Sequence, residues 1–185
     1  MEQIVGDQLK HQIFQFAGNQ EISWTPPPQG AIRIDVDGSV WNDQHAACGG
    51  LIRNSDGDWV VGFQKNIGTC SVTEAELVAI RTGLEVGKLY NHPMVVLYSD
   101  SMDALNLIAR ECVADHPLRT IITDIRELIF AREEIELHHA SRDTIRCADY
   151  LAKEGHEQAF GVKLIADVPE RYADLILQDK PCGFS

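Results

Sequence analysis

The stretch that decides the fold is Ala31-Ile32-Arg33-Ile34-Asp35-Val36-Asp37, followed directly by Gly38-Ser39. Its isoleucine and valine side chains alternate with charged ones, and this period of two predicts a half-buried β-strand. An acid that ends such a strand beside a glycine lies where a ligand or another backbone can come close. Asp37 is therefore a candidate site residue, although an Asp-Gly pair is also typical of a plain turn.

The segments on either side of this strand suggest where the domain begins and ends. Apolar residues at helical spacing predict an amphipathic helix over residues 1–18, and the three prolines of 24–30 predict a stiff extended linker. We therefore divide the chain into a helix and linker at 1–30, a domain at 31–160, and a tail at 161–185. A proline at its start predicts a short helix over 169–177 in that tail.

The rest of the domain alternates between strand and helix patterns. An Asp-Gly turn signal at Asp56-Gly57 joins two strand patterns into a hairpin, and Ser71 with Glu74 forms a capping box that opens a helix. The predicted order is an α/β fold with a mixed sheet, in which three antiparallel strands precede parallel α/β crossovers and helices flank the sheet. The predicted elements after the first strand are strands 46–53 and 59–67, helix 71–90, strand 94–99, helices 101–110 and 118–131, strand 135–140 and helix 144–158.

The charge of the chain limits how it can bind nucleic acid. Its 185 residues suffice for one domain with its own core, and 16 Lys and Arg against 28 Asp and Glu give a net charge of −12. Affinity for nucleic acid comes largely from basic groups that neutralise phosphates, so this acidic chain is expected to bind weakly by electrostatics alone. The excess of acids serves solubility, or some of them form a cation site.

The cysteines and the N-terminus bear on the compartment. Five widely spaced cysteines without a Cys-x-x-Cys pair do not predict a disulfide framework or a zinc site. The N-terminus has no basic region followed by an apolar block, and no apolar run approaches the roughly 18 residues of a membrane span. We expect an intracellular protein of the nucleus or cytoplasm that is not secreted and does not associate with membranes.

Three further acids lie at positions where a site could form. Glu76 borders the apolar stripe of its helix above two glycines, Asp100 directly follows a buried strand, and Asp149 lies on the last main helix. Each also has an ordinary interpretation. Glu76 could extend into water, Asp100 could cap the next helix, and Asp149 could pair with Lys153 four residues on.

The four acids are more informative together than singly. Carboxylates brought close together repel one another and raise each other's pKa values, unless a cation neutralises them. Mg²⁺ and Mn²⁺ prefer such oxygen ligands, and two ions about 3.5–4 Å apart can activate water for attack on a phosphodiester. The sequence therefore suggests a divalent metal site made by Asp37, Glu76, Asp100 and Asp149.

In these motifs the chain resembles ribonuclease H. The resemblance is closest to the RNase-H-like domains of plant genomes, which occur alone or at the C-terminal end of non-LTR retroelement reverse transcriptases. It runs from residue 24 to about residue 185, and the order of the short motifs agrees with the predicted order of elements. The motifs that carry it are Trp24-Thr25-Pro26-Pro27, Ile34-Asp35-Val36-Asp37-Gly38-Ser39, Gly49-Gly50-Leu51-Ile52-Arg53, Glu74-Ala75-Glu76-Leu77, Ser99-Asp100-Ser101 and Ala148-Asp149-Tyr150-Leu151-Ala152-Lys153.

The resemblance implies both a fold and a reaction. The fold is the RNase H fold, with a five-stranded mixed sheet. The four acids fall on the family's metal-binding and catalytic positions, where two Mg²⁺ ions, or Mn²⁺, support hydrolysis of the RNA strand of an RNA–DNA hybrid. Gly38, Ser39 and Arg142 fall on substrate-binding positions, where the 2′-hydroxyl distinguishes RNA from DNA. An upstream reverse transcriptase domain in a parent protein is a further implied partner.

Three functions remain open on the sequence. The first is a ribonuclease H. The second is a catalytically weak or inactive domain, domesticated from a retroelement, that binds nucleic acid or protein. It is favoured by the net charge of −12 and by Ile145 at a position where plant domains usually carry asparagine. The third, an acidic interaction domain without metal, requires the four carboxylates to be scattered in space. We predict that His138 and His139 are structural residues.

Overall fold

The computed structural model of the protein describes residues 23–110 and 113–180. The predicted helix at 1–18 lies outside these residues. The elements are β1 (Ile32–Val40), β2 (His45–Arg53), β3 (Trp59–Thr69), α1 (Val72–Lys88), β4 (Met94–Ser99), α2 (Met102–Ala109), α3 (Arg119–Phe130), β5 (Glu134–His139), α4 (Arg146–Glu154), β6 (Gly161–Ile165) and α5 (Glu170–Asp179), with 3-10 turns at Arg142–Thr144 and Gly155–Glu157.

The strands form one mixed sheet in the order β5-β4-β1-β2-β3-β6. β2 pairs antiparallel with both β1 and β3, while β4 runs parallel to β1 and β5 runs parallel to β4. This arrangement confirms the predicted mixed α/β sheet. The difference is a sixth strand, because β6, which we predicted as part of the tail, pairs antiparallel with β3. Its pattern is weak because four of its five residues are exposed, including the apolar Val162 at 44% and Leu164 at 47%.

Helices cover both faces of the sheet because glycines let them approach. A Cβ atom on Gly83 of α1 would lie 2.6 Å from Val36 Cγ1, so α1 packs directly on β1. On the opposite face, a Cβ atom on Gly49 of β2 would lie 2.4 Å from the backbone nitrogen of Ala152 in α4. The main core lies between the sheet and α1, α2 and α3. A second core lies beneath α4 and α5, where Ile145 is buried.

The prediction that β1 is half-buried is wrong, since its charged face is covered as well. Arg33 is 1% exposed and Asp35 is 3% exposed. The Arg33 Nε atom lies 2.7 Å from Asp35 Oδ1, and the Trp24 indole N–H donates to Asp35 Oδ2 at 3.0 Å. Trp24, which we assigned to the linker, is therefore packed against the sheet. The two charged side chains were predicted to face water, but they are buried and pair with each other.

A second buried arginine connects the two ends of the described fold. Arg53 is 1% exposed, and the centre of its guanidinium lies 3.8 Å from the centre of the Trp24 ring. Its Nη1 atom donates to Asp179 Oδ2 at 2.9 Å, and its Nη2 atom donates to the Ile176 carbonyl at 3.0 Å. The helix predicted over 169–177 is present as α5, and this arginine attaches α5 to the end of β2.

Serine hydroxyls cap two helices, as the capping box at Ser71 predicted for α1. The Ser71 hydroxyl accepts the Glu74 backbone N–H at 3.2 Å at the start of α1, and the Ser101 hydroxyl caps α2 in the same way. Within the described residues the cysteines, Cys48, Cys70 and Cys147, are free thiols. No helix in this part of the chain is long and apolar enough to cross a bilayer.

Candidate metal centre

Three of the four predicted acids converge at one edge of the sheet. Asp37 lies within β1, Asp100 directly follows the parallel strand β4, and Glu76 lies in the second turn of α1. One carboxylate oxygen from each lies within 4.8 Å of the others. Asp37 does not end its strand as predicted, because β1 continues to Val40.

Glu76 is directed at this edge by Gly38. The Gly38 backbone N–H donates to Glu76 Oε2 at 3.1 Å. A Cβ atom on Gly38 would lie 2.9 Å from the carbonyl carbon of Ala75 and 2.9 Å from the nitrogen of Glu76, so a side chain at this position would push α1 away. Gly38 is a strand residue that admits the helix, and the interpretation of Asp37-Gly38 as a plain turn is wrong. So is the interpretation of Glu76 as extending into water, since the residue is 4% exposed.

Burial and mutual repulsion raise the pKa values of two acids in this cluster. Burial, followed by the charges of Asp100 and Asp149, raises the pKa of Asp37 to about 8. Burial, followed by the charges of Asp37 and Asp100, raises the pKa of Glu76 to about 9. The buried Oδ1 atom of Asp37 has no hydrogen-bond partner. A divalent cation would satisfy that oxygen and remove the repulsion, so the donor set fits Mg²⁺ or Mn²⁺.

The fourth predicted acid, Asp149, approaches Asp37 from the face of the sheet that α4 covers. α4 brings its carboxyl group close enough to Asp37 to raise the pKa of Asp37. Lys153 Nζ also donates to Asp149 Oδ2 at 2.6 Å, so the predicted i,i+4 ion pair is present as well. Asp149 lies outside the group of three acids whose oxygens are close enough to hold one ion. It is a neighbour of that group through Asp37.

Two exposed cations lie at the rim of the cluster. Arg142 Nε donates to Asp100 Oδ2 at 3.1 Å, and 70% of the Arg142 side chain is exposed. The Lys153 side chain is 57% exposed. Neither contacts Asp37 or Glu76 through an ion pair within the described residues, so the two most buried acids of the cluster lack a compensating side-chain cation.

Both predicted structural histidines make structural contacts. The His138 ring stacks on Tyr98 at 4.9 Å, and its Nε2 atom lies 2.7 Å from Glu136 Oε2. His139 Nε2 lies 3.1 Å from the backbone carbonyl of Asp100 and so helps to fix the end of β4. Neither histidine forms a hydrogen bond with a carboxylate group of the cluster within the described residues.

A histidine pair beside the centre was missed by the sequence analysis. His156 Nε2 lies 2.9 Å from the hydroxyl oxygen of Ser39, and the Nδ1 atoms of His156 and His45 lie 2.9 Å apart. Trp41 stacks on His156 with the ring centres 4.0 Å apart. Because His156 and His45 are 111 positions apart in the chain, no motif or local spacing predicts this contact.

Comparison with known proteins agrees with this geometry. A family model described as "Reverse transcriptase-like" matches residues 35–155, which include all four acids. A curated protein of Arabidopsis thaliana, "Putative ribonuclease H protein At1g65750", is 29% identical over 159 residues that cover 85% of this chain. The chain spans about a quarter of that relative's length, 26%.

Solved structures show the same fold. RNase H1 from the archaeon Halobacterium salinarum superposes with a TM-score of 0.64 at 26% identity, covering 70% of this chain and 100% of the archaeal one. LC11-RNase H1, solved in complex with an RNA/DNA hybrid, gives a TM-score of 0.62 at 20% identity over 68% of this chain and 96% of that one. The chain therefore belongs to the reverse transcriptase-like family, and it is an RNase H-like domain of the plant type.

Proposed function

We propose that this protein is a metal-dependent ribonuclease H that hydrolyses the RNA strand of RNA–DNA hybrids. The observation that carries the proposal is the convergence of Asp37, Glu76 and Asp100 within 4.8 Å at the edge of the sheet. Converging buried acids with raised pKa values indicate a functional site more often than a structural one. They also exclude the scattered arrangement that an acidic interaction domain without metal would require.

The four acids have distinct places in this arrangement. Asp37 is the central one, because both Asp100 and Asp149 raise its pKa, whereas the charged neighbours that raise the pKa of Glu76 are Asp37 and Asp100. Asp37, Glu76 and Asp100, with Asp149 beside Asp37, would hold the divalent ions, Mg²⁺ or Mn²⁺. When bound, a pair of such ions supplies an activated water and stabilises the oxygen that leaves the phosphodiester.

The chain also provides groups that would hold the substrate. The Ser39 hydroxyl lies two residues beyond Asp37 on the same face of β1, which places it one strand repeat from the metal centre. Arg142 presents an exposed guanidinium at the rim, where it can bind a phosphate. We propose that Ser39 and the adjacent Gly38 backbone contact the ribose, whose 2′-hydroxyl identifies the RNA strand.

Cleavage of a labelled RNA–DNA hybrid tests this proposal. The wild-type protein is expected to cleave the RNA strand with Mg²⁺ and not with EDTA, and the Asp100→Asn variant is expected to lose this cleavage while remaining folded. Asp103→Asn is the matched control, since it removes an exposed acid from α2. If Asp100→Asn cleaves as well as the wild type, the metal centre is not the source of the activity.

A catalytically weak or inactive domain that binds nucleic acid or protein is the second candidate. It is favoured by the ion pairs of Arg142 with Asp100 and of Lys153 with Asp149, which compete with metal for two of the four acids. A rise in melting temperature on adding Mg²⁺, without any hybrid cleavage, would support it. In either case we propose that the domain works in the nucleus or cytoplasm, as part of a longer reverse transcriptase-like protein or alone.

A further inference from the structure

An exposed tryptophan lies four residues beyond Asp37, at the end of the strand that carries this acid. Trp41 directly follows β1 and is 51% exposed. One face of its indole stacks on His156, with ring centres 4.0 Å apart and planes 17° apart. A half-exposed indole offers a flat surface on which another ring can stack.

The indole is fixed from behind by a buried group. His156 is 6% exposed, and its two ring nitrogens contact the Ser39 hydroxyl and His45 Nδ1, each at 2.9 Å. Burial and the neighbouring His45 lower the pKa of His156, so the ring is neutral near pH 7 and one Nδ1 atom can donate to the other. The ring that supports Trp41 is therefore held in place by hydrogen bonds at both nitrogens.

The backbone around Trp41 is fixed as well. The Trp41 N–H donates to the His45 carbonyl, and the Gln44 N–H donates to the Trp41 carbonyl, both at 2.9 Å. These bonds close the short connection from β1 to β2. A side chain that is already ordered loses little conformational entropy when a ligand stacks on it, so Trp41 is preorganised for binding.

The distance from Asp37 to Trp41 can be compared with the length of a nucleic acid bound at the metal centre. Ser39 and Trp41 lie two and four residues beyond Asp37, and four residues of strand span about 13 Å. A duplex advances about 3.4 Å per base pair, so this distance corresponds to about four base-pair steps. A nucleic acid that runs from the carboxylates along β1 would thus reach Trp41 within half a helical turn.

The negative net charge of the protein means that affinity for nucleic acid has to come from contacts other than ion pairs with phosphate. With a net charge of −12, the chain gains little from phosphate neutralisation. Stacking of a nucleoside on an aromatic ring does not depend on net charge. We propose that Trp41, supported by His156, is a stacking platform for a nucleoside of the substrate strand next to the metal centre. This proposal deepens the ribonuclease function and rests on it for the identity of the ligand.

Binding measured apart from cleavage tests the platform. Fluorescence anisotropy of labelled RNA–DNA hybrid and of single-stranded RNA, with Ca²⁺ in place of Mg²⁺, would be compared for wild type, Trp41→Ala and Trp41→Phe. Loss of one stacking contact is expected to weaken binding about tenfold to a hundredfold in Trp41→Ala, and Trp41→Phe should retain most of the affinity. Phe130→Ala, an exposed aromatic at the end of α3, is the matched control.

The salt dependence and the choice of nucleic acid separate the explanations. The loss in Trp41→Ala should be the same at 50 and 200 mM salt, because stacking is not Coulombic.

A loss of affinity confined to single-stranded RNA identifies a base as the stacked group, and a loss with the hybrid as well identifies the sugar. Unchanged affinity in Trp41→Ala overturns the platform even if the protein cleaves hybrids. Reduced affinity without any cleavage by the wild type supports the platform and overturns the ribonuclease. Absence of binding by the wild type overturns both.

Discussion

Gly49 lies directly opposite Asp37 in the β1–β2 ladder, and the backbone of α4 fills the space where its side chain would extend. A Cβ atom at this position would lie 2.4 Å from both the Leu151 carbonyl carbon and the Ala152 nitrogen. The same helix carries Asp149 to Asp37. Because Gly49 has no side chain, α4 lies close to the sheet, and this sets how near Asp149 comes to Asp37.

Substitution of Gly49 by alanine should move α4 and weaken the metal centre. Because the clash is with backbone atoms, we expect a loss of about 1–3 kcal/mol in the free energy of unfolding, as is typical of overpacking. The affinity for Mg²⁺ should fall as well, since Asp149 moves away from Asp37. Urea denaturation and Mg²⁺ titration calorimetry would measure the two effects.

Gly161→Ala provides the matched control for this substitution. Gly161 has a φ of +110° but open space around its Cβ position, so alanine there strains the backbone without displacing α4. It should lower stability and leave Mg²⁺ affinity unchanged. Equal Mg²⁺ affinities in wild type and Gly49→Ala would contradict the role of this glycine in placing Asp149.

The raised pKa values of Asp37 and Glu76 predict that the metal-free protein becomes less stable as pH rises. Both carboxyls bind protons more tightly when folded, with pKa values of about 8 and about 9 against ordinary values of 3.8 and 4.5. The stability that this contributes is fully present below the unfolded values and is lost as pH rises through the folded ones. Mg²⁺ stabilises the ionised form, so its effect should grow over the same range.

Melting temperatures in EDTA and in Mg²⁺ would test this between pH 6.5 and 8.5. In EDTA the melting temperature should fall across this window, and the rise caused by Mg²⁺ should be larger at pH 8.5. The Asp37→Asn, Glu76→Gln double variant is the control and should show a flatter pH dependence and little response to Mg²⁺. A response to Mg²⁺ that is equal at both pH values in the wild type would count against the cluster as its cause.

Removal of the Arg142 guanidinium should affect metal and substrate in opposite directions. Arg142 pairs with Asp100 but is largely exposed, so the pair contributes little and its loss should raise Mg²⁺ affinity by a few-fold at most. The KM for the hybrid should increase in Arg142→Ala, because a cation that can bind phosphate is gone. Arg142→Lys should restore part of the KM. Arg119→Ala, an exposed arginine at the start of α3, is the control, and an equal change in both variants would exclude a specific role.

The hydrophobic pattern was sufficient to predict most of the sheet. Alternation in β1 placed Ile32, Ile34 and Val36 on one face, which the structure packs into the main core, and the Asp-Gly signal at Gly57 located the β2–β3 hairpin. These signals come from neighbouring residues, so they predict a strand wherever one of its faces is buried. The burial of Arg33 was not predictable in this way, because it depends on a tertiary pair with Asp35 and on the cover provided by Trp24.

The candidate site was predictable only in part. The positions of Asp37, Glu76 and Asp100 at element ends or edges suggested a cluster, and the structure brings them together. The catalytic roles of the four acids stay a prediction. The contact of His156 with Ser39 depends on the 3-10 turn that follows α4, and neither residue has a local pattern that indicates the other.

The attachment of both ends of the fold to Arg53 has a consequence for how the domain can be joined to other polypeptides. Trp24 and Asp179 meet at this guanidinium, which lies at the Arg33 end of β1, four residues of strand away from Asp37. Polypeptides joined at Trp24 and at Asp179 would therefore be attached near one point of the domain, at the Arg33 end of β1. Trimming both ends should cost a different amount from the sum of the single truncations, since each deprives the same cation of a partner.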